Sequence, residues 1–354
     1  MYTLDASLDP FAPHISAELV PAPVLGRVRA AASALPAELT ERLCLECRLT
    51  EEDARTDLVI GVEAAGRAIL SGENPAISLA PALTETGPWR QVRDFCHAWG
   101  DPASPLHGAV ERLWLEFDIS THGDHAAPPV PGVFLDFTEE ACGRGTADER
   151  CATVVDALRT LLGTELPPRL ADNLHRATRA LPEGAGIPYA GVLIPRGTEL
   201  VRICVAGLGE ERVADYLREA GWAGSYRAVR ALLDRVRPTA GGAAPVMALL
   251  HLDVGSALLP RVGMEFAFAR RPQLRGELPG AAFLDQLVER GSCTAAKRQG
   301  LVSWPGCAVA ALPHQLWESV ALRHLAHVKV VVDADGAEEA KAYLSLRHTP
   351  RVRR

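Results

Sequence analysis

Along this chain, apolar and polar residues alternate with a period of two in short segments, and the segments come in pairs. Residues 57–64, 112–120, 189–195, 247–255 and 327–334 each read as a strand. Each is followed, after a turn, by a second alternating segment, at 66–70, 131–137, 199–207, 260–269 and 339–348. Between the pairs the period changes to that of a helix, at 147–163, 170–181, 210–222, 226–237 and 281–291. Most of these stretches end at Gly or just before Pro, as helices do. Residues 15–35 and 36–49 also read as helical. The unit recurs at intervals of about 55 to 75 residues, a repeat architecture.

The connections within the pairs fix the strand direction. Asp335-Gly336 joins the last pair, a dipeptide suited to a tight hairpin. Parallel strands would need a crossover of a dozen or more residues, so an eight-stranded parallel barrel does not fit. Ten antiparallel strands covered by helices curl until they close. The predicted fold is therefore α+β: five helix-flanked antiparallel hairpins closing into a ten-stranded barrel surrounded by helices. Residues 1–50 are expected as an N-terminal helical segment on the barrel, and residues 51–350 as one repeat-built domain. The other architecture the pattern allows is an open sheet with one solvated face.

Composition narrows the function. The 354 residues are 48% apolar and 23% charged, enough for a sizeable core. A formal net charge of −7 argues against a nucleic-acid or anionic-membrane partner. The longest apolar run, 244–260, carries His251 and Asp253 and does not make a membrane span. The acidic start differs from a signal peptide, so the expected location is cytoplasmic. Eight cysteines are far too few for a disulfide scaffold. Cys44 and Cys47 form one C-x-x-C with no second half, so neither a metal nor a cofactor is expected. His122 and His125 read as loop residues, and His324 and His327 as ordinary residues of a junction. Gly207 and Gly209 lack a third glycine, and Glu210 and Glu211 would face a pyrophosphate, which excludes a dinucleotide turn.

Alternation gives each strand two faces, and helices on the apolar face leave the polar set to line a lumen. That set includes the acids Glu63, Glu116, Asp118, Asp136, Asp253, Glu265 and Asp333. The bases are Arg202, Arg261, Lys329, Lys341 and Arg347, joined by His251, Trp114 and Tyr343. Cys204 reads as a small buried hydrophobe.

In organisation, residues 57–348 resemble the αββα-repeat (ABBA) aromatic prenyltransferases. Lys341-Ala342-Tyr343 looks like that family's Lys-x-Tyr strand motif, and the hairpin 251–266 resembles its Asp-containing hairpin. The resemblance implies a barrel with an internal active site, a prenyl diphosphate held by Lys and Arg from several strands, and tyrosines shielding an allyl cation. Lys341 and Tyr343 match. Gly263 and Glu265 stand where a Lys and a Tyr would be, Arg202 is followed by Cys204, and Gly132 by Phe134. An acid-rich lumen repels diphosphate, which puts prenyl transfer second.

The segment 324–348 also resembles proteins encoded beside class V lanthipeptide kinase-like and lyase-like enzymes, among them stand-alone lanthionine cyclases. That resemblance implies a peptide-tailoring enzyme that adds Cys thiols to dehydroamino acids and uses no cofactor. Its partners would be a precursor peptide and those kinase-like and lyase-like enzymes. His251 (oriented by Asp253) or Tyr343 would move protons, and Lys329, Lys341 or Arg261 would polarise the carbonyl. Glu63, Trp114, Glu116, Asp118, Asp136, Arg202, Glu265 and Arg347 would bind substrate. A non-catalytic barrel that binds the precursor peptide is the third reading.

Overall fold

The computed structural model describes residues 2–50, 55–85, 87–119, 129–236, 245–312, 315 and 317–350. The strands are β1 (Arg42–Arg48), β2 (Thr56–Val62), β3 (Val110–Phe117), β4 (Gly132–Phe137), β5 (Gly186–Val192) and β6 (Val201–Ala206). They continue with β7 (Val246–Val254), β8 (Leu258–Ala267), β9 (Gly306–Ala311), β10 (Glu318–Val332) and β11 (Glu338–Pro350). Every pairing is antiparallel, and the order runs β1-β2-β3-β4-β5-β6-β7-β8-β10-β11 and back to β1. This is a closed ten-stranded barrel of five hairpins, and the open sheet is excluded. β9 lies outside the ring, paired with the first half of β10.

Closure follows from alternation that is apolar outward and polar inward. Leu43, Leu45, Leu58, Ile60, Leu113, Leu115, Leu344 and Leu346 are fully or almost fully buried against the outer helices. Those helices include α1 (Ala22–Ala32), α2 (Ala64–Ser71), α3 (Gly87–Gly100), α4 (Ala147–Leu162), α5 (Pro168–Arg179), α6 (Val213–Ala220), α7 (Tyr226–Val236), α8 (Ala281–Glu289) and α9 (Ala295–Ser303). Helix α4 shows why such segments start and stop where they do. Thr146 and Glu149 form a capping box at its first turn, and Gly163 closes it in the left-handed region. Trp89 of α3 then stacks on Phe117 of β3, with 6.2 Å between ring centroids.

Two expected elements are corrected. Residues 42–48, read as helix, form the first strand, and residues 66–70, read as a strand, lie inside α2. The first hairpin is thus β1–β2 rather than 57–64 with 66–70. Local i, i+3 spacing in Cys44 and Cys47 suits a helix, but β1 pairs along both edges, with β2 and β11. The gain from closing a barrel outweighs local propensity. The two cysteines consequently point to opposite faces, Cys44 to the lumen and Cys47 to the outer core, and both are free thiols.

Asp333 is not a lumen residue. Its carboxylate accepts from the Asp335 and Ala337 amides and shapes the β10–β11 turn, where Gly336 has φ 86°. Among the described residues, no helix is long and apolar enough to cross a membrane. His122 and His125 lie outside the described residues.

Candidate active site

The barrel encloses a cavity of about 330 Å³, open at the end where helices connect the hairpins. Its wall has aromatic faces from Trp114, Phe134, Tyr189 and Tyr343, and apolar ones from Leu43, Val59 and Leu249. Gly61 leaves room for Trp114, because a Cβ there would stand 2.9 Å from the indole. At the hairpin-turn end a smaller pocket of about 20 Å³ is lined by Arg196, Arg202, Arg261, Lys329 and Lys341, with Asp253 as its single carboxylate among the described residues. Arg202, His251 and Lys329 line both spaces.

The charge balance is the reverse of the expected one. Two carboxylates, Glu116 and Glu265, face the main cavity, against Arg42, Arg202, Arg270, Arg347 and Lys329. The other acids are turned away or tied down. Glu63 sits at the start of α2, pairing with Arg42 at 2.8 Å and Arg112 at 3.4 Å, so it is no lumen residue. Asp118 binds Arg196 beyond the end of β3. Asp136 is held by Arg112 at 2.9 Å, and its pKa still rises to about 6 through burial. Asp253 takes Arg202 in a two-pronged pair at 2.7 and 3.1 Å.

The centre of the buried charge network is a residue the sequence reading did not single out. Glu46 of β1 accepts from Lys341 Nζ at 2.6 Å and from the Tyr343 hydroxyl, and Lys329 Nζ lies 3.9 Å away. Burial alone would raise its pKa, but Lys341 and Lys329 overrule that and keep it ionised. Lys329 also stands over the Tyr343 ring, 5.1 Å from its centroid. Among the described residues, Glu116 has only Arg196 beside it, at 3.9 Å, and burial and the Glu46 charge raise its pKa.

His251 is not oriented by Asp253, which Arg202 occupies. Its Nδ1 lies 3.3 Å from Cys204 Sγ and its Nε2 2.7 Å from Glu265 Oε1. The same Glu265 oxygen is 3.3 Å from His327 Nε2, so one carboxylate stands between two imidazoles. Burial takes His251 down to about 4, against the pull of Glu265, so it is a neutral base at pH 7. Burial would raise Glu265, but His327 and His251 hold it ionised, at about 2. Burial and the Glu265 charge keep the Cys204 thiol protonated. His324 and His327, expected to be unremarkable, both line the cavity.

Of the fifteen expected polar lumen positions, the structure brings Trp114, Glu116, Arg202, His251, Glu265, Lys329, Tyr343 and Arg347 to the main cavity. Arg261, Asp253 and Lys341 face the pocket at the turns. Cys204 faces the cavity as well, while Asp136 stays beside it. Among the described residues, the acids close enough to share a cation are Asp57, Glu116 and Asp118. Asp57 already accepts from the Ile119 amide and Asp118 already holds Arg196, so nothing there calls for a metal.

No protein-family model matches the sequence, and no curated protein matches it. Solved structures do. Prenyltransferase PriB, in its apo form, is 17% identical over 98% of this chain and 96% of its own, with a TM-score of 0.51. Its complex with L-tryptophan and dimethylallyl thiolodiphosphate gives 16% identity over 99% and 97%, and the same TM-score. A 6-dimethylallyltryptophan synthase from Micromonospora olivasterospora is 13% identical over 98% of both chains, again at 0.51. The chain has the ABBA prenyltransferase fold.

Proposed function

We propose that this barrel is an ABBA-type transferase that takes a prenyl diphosphate, diphosphate toward the turns and prenyl chain in the aromatic-walled cavity. One observation carries the reading: among the described residues, five cations and a single carboxylate line a pocket that meets the cavity at Arg202, His251 and Lys329. Gly263 lacks the lysine the resemblance implies, but Arg261 on the same strand and Lys329 on the next supply charge there. Arg196 and Arg261 have side chains 44% exposed and can move to admit a head group larger than the pocket.

Ionisation breaks the allylic C–O bond, and its electron pair leaves with the diphosphate, whose charge the guanidinium and ammonium groups offset. The faces of Trp114, Tyr189 and Tyr343 then stabilise the allyl cation. The acceptor's nucleophilic atom forms the new bond, and its proton passes to Glu265 or His251. Incubation with dimethylallyl diphosphate and a panel of aromatic amino acids and peptides tests this, read by mass spectrometry and diphosphate release. A prenylated product with released diphosphate supports the reading. Absence of diphosphate-dependent binding and of product would overturn it.

A second reading, lanthionine-type cyclisation of a precursor peptide, is favoured by the Cys204–His251–Glu265–His327 group. A neutral imidazole backed by a carboxylate can take a peptide thiol's proton and return it to the α-carbon. Ring closure of a dehydrated Cys-containing peptide without diphosphate would favour this reading. Peptide binding with no turnover in either assay would favour a binding barrel.

A further inference from the structure

Strand register sets a thiol, an imidazole and a gap side by side on the lumen wall. Cys204 on β6 lies opposite His251 on β7, and His251 lies opposite Gly263 on β8. The missing side chain at Gly263 makes room for its neighbours, since a Cβ there would stand 3.3 Å from His251 Cβ and 3.4 Å from Lys329 Cδ. His251 then reaches two partners at once, Cys204 Sγ at 3.3 Å from Nδ1 and Glu265 Oε1 at 2.7 Å from Nε2. An ionised carboxylate beside Nε2 keeps the imidazole proton on that nitrogen and leaves the Nδ1 lone pair facing the thiol. Burial holds the thiol protonated and His251 unprotonated, so the pair is neutral at pH 7. Cys204, His251 and Glu265 all line the main cavity, together with Arg202 and Lys329. Prenyl transfer gives this thiol no step.

We propose that Cys204 is a nucleophile with an activity of its own, hydrolysis of an ester or thioester whose apolar acyl group fits the cavity between Trp114, Phe134 and Tyr189. His251 is the general base and Glu265 orients it, the arrangement that activates a thiol. In the first step Cys204 Sγ bonds to the carbonyl carbon while its proton passes to His251 Nδ1. The substrate's C–O or C–S bond breaks, the electron pair leaves with the departing oxygen or sulfur, and that atom takes the proton from His251. A water then gives a proton to Nδ1 and attacks the thioester on Cys204. Its C–S bond breaks, the carboxylic acid leaves, and the proton returns to the Cys204 sulfur. Negative charge on the carbonyl oxygen develops close to Arg202 and Lys329, whose charges already act on the Cys204 sulfur. This activity goes beyond the transferase reading and needs no diphosphate.

The probe is 4-nitrophenyl 3-phenylpropionate, mixed with the full chain in the absence of diphosphate. We expect a burst of about one equivalent of 4-nitrophenolate per protein, followed by slower turnover. Acid quenching, intact-mass spectrometry and peptide mapping should place a 3-phenylpropionyl group on Cys204. Cys204→Ala should abolish both burst and adduct, and His251→Asn should slow acylation by about 10²–10⁴. Cys307→Ala, which removes an exposed cysteine, should keep the wild-type rates. Circular dichroism checks that each variant folds, and the adduct map of the wild-type protein stands without any variant. No acylation, an adduct on Lys329 or Cys44 in place of Cys204, or a burst that survives in Cys204→Ala would overturn the proposal. With diphosphate left out of this assay, its failure and the failure of the transferase reading are distinguishable.

Discussion

Lys341 Nζ donates to Glu46 Oε1 across 2.6 Å, tying the last strand of the barrel to the first. Tyr343 reaches the other carboxylate oxygen, and Lys329 completes the group. Removing the negative charge would strand two buried ammonium groups. Breaking one side of such a network costs about 3–5 kcal/mol, so Glu46→Gln should melt well below wild type in calorimetry. Adding Lys341→Met should restore part of the loss. A Glu46→Gln protein that melts within about one degree of wild type would show that the closure does not depend on this pair.

In the proposed transfer Glu265 is an ionised carboxylate placed to take the acceptor's proton, so Glu265→Gln should cut turnover by about 10²–10⁴. Donor binding should change only a few-fold, because Glu265 does not line the cationic pocket. Turnover kinetics with circular dichroism as a folding check measures this. Full turnover in the folded variant would remove Glu265 from the mechanism.

Asp57 provides a signed pH test. Burial and the charges of Glu46 and Asp118 raise its pKa from 3.8 to about 7. Between those values the folded chain keeps a proton that the unfolded chain has released, so stability from this group falls as pH rises. Asp57→Asn should therefore raise the melting temperature by several degrees at pH 8, with the gap closing toward pH 4. His251 and His324, both lowered from 6.5 to about 4 by burial, act with the opposite sign. Their contribution is present above pH 6.5 and is lost as pH falls through 4 in wild type and variant alike. A constant gap between Asp57→Asn and wild type from pH 4 to 8 would contradict the raised pKa.

Alternation alone located β3, β4, β6, β7, β8 and β11 and assigned their inward faces, because a half-buried strand must repeat every second residue. It could not give the partner of an inward side chain. His251 and Asp253 share a face of β7, yet register sets Arg202 opposite Asp253 and Cys204 opposite His251. β1 was missed because Leu43, Leu45 and Cys47 alternate over only a few residues, within a stretch that also fits a helix. Glu46 was lost with it. The same alternation, with Cys44 and Glu46 on the opposing face, was the available signal. Arg270 lies outside every strand, so its place at the mouth is set by tertiary structure alone.

The most direct test of a diphosphate-binding lumen is calorimetric titration of the unreactive donor analogue dimethylallyl thiolodiphosphate. Wild-type protein should bind it with a dissociation constant in roughly the micromolar range, and Arg202→Gln and Arg261→Gln should each weaken binding by about tenfold or more. No binding to wild-type protein, or binding that ignores both substitutions, would contradict the account.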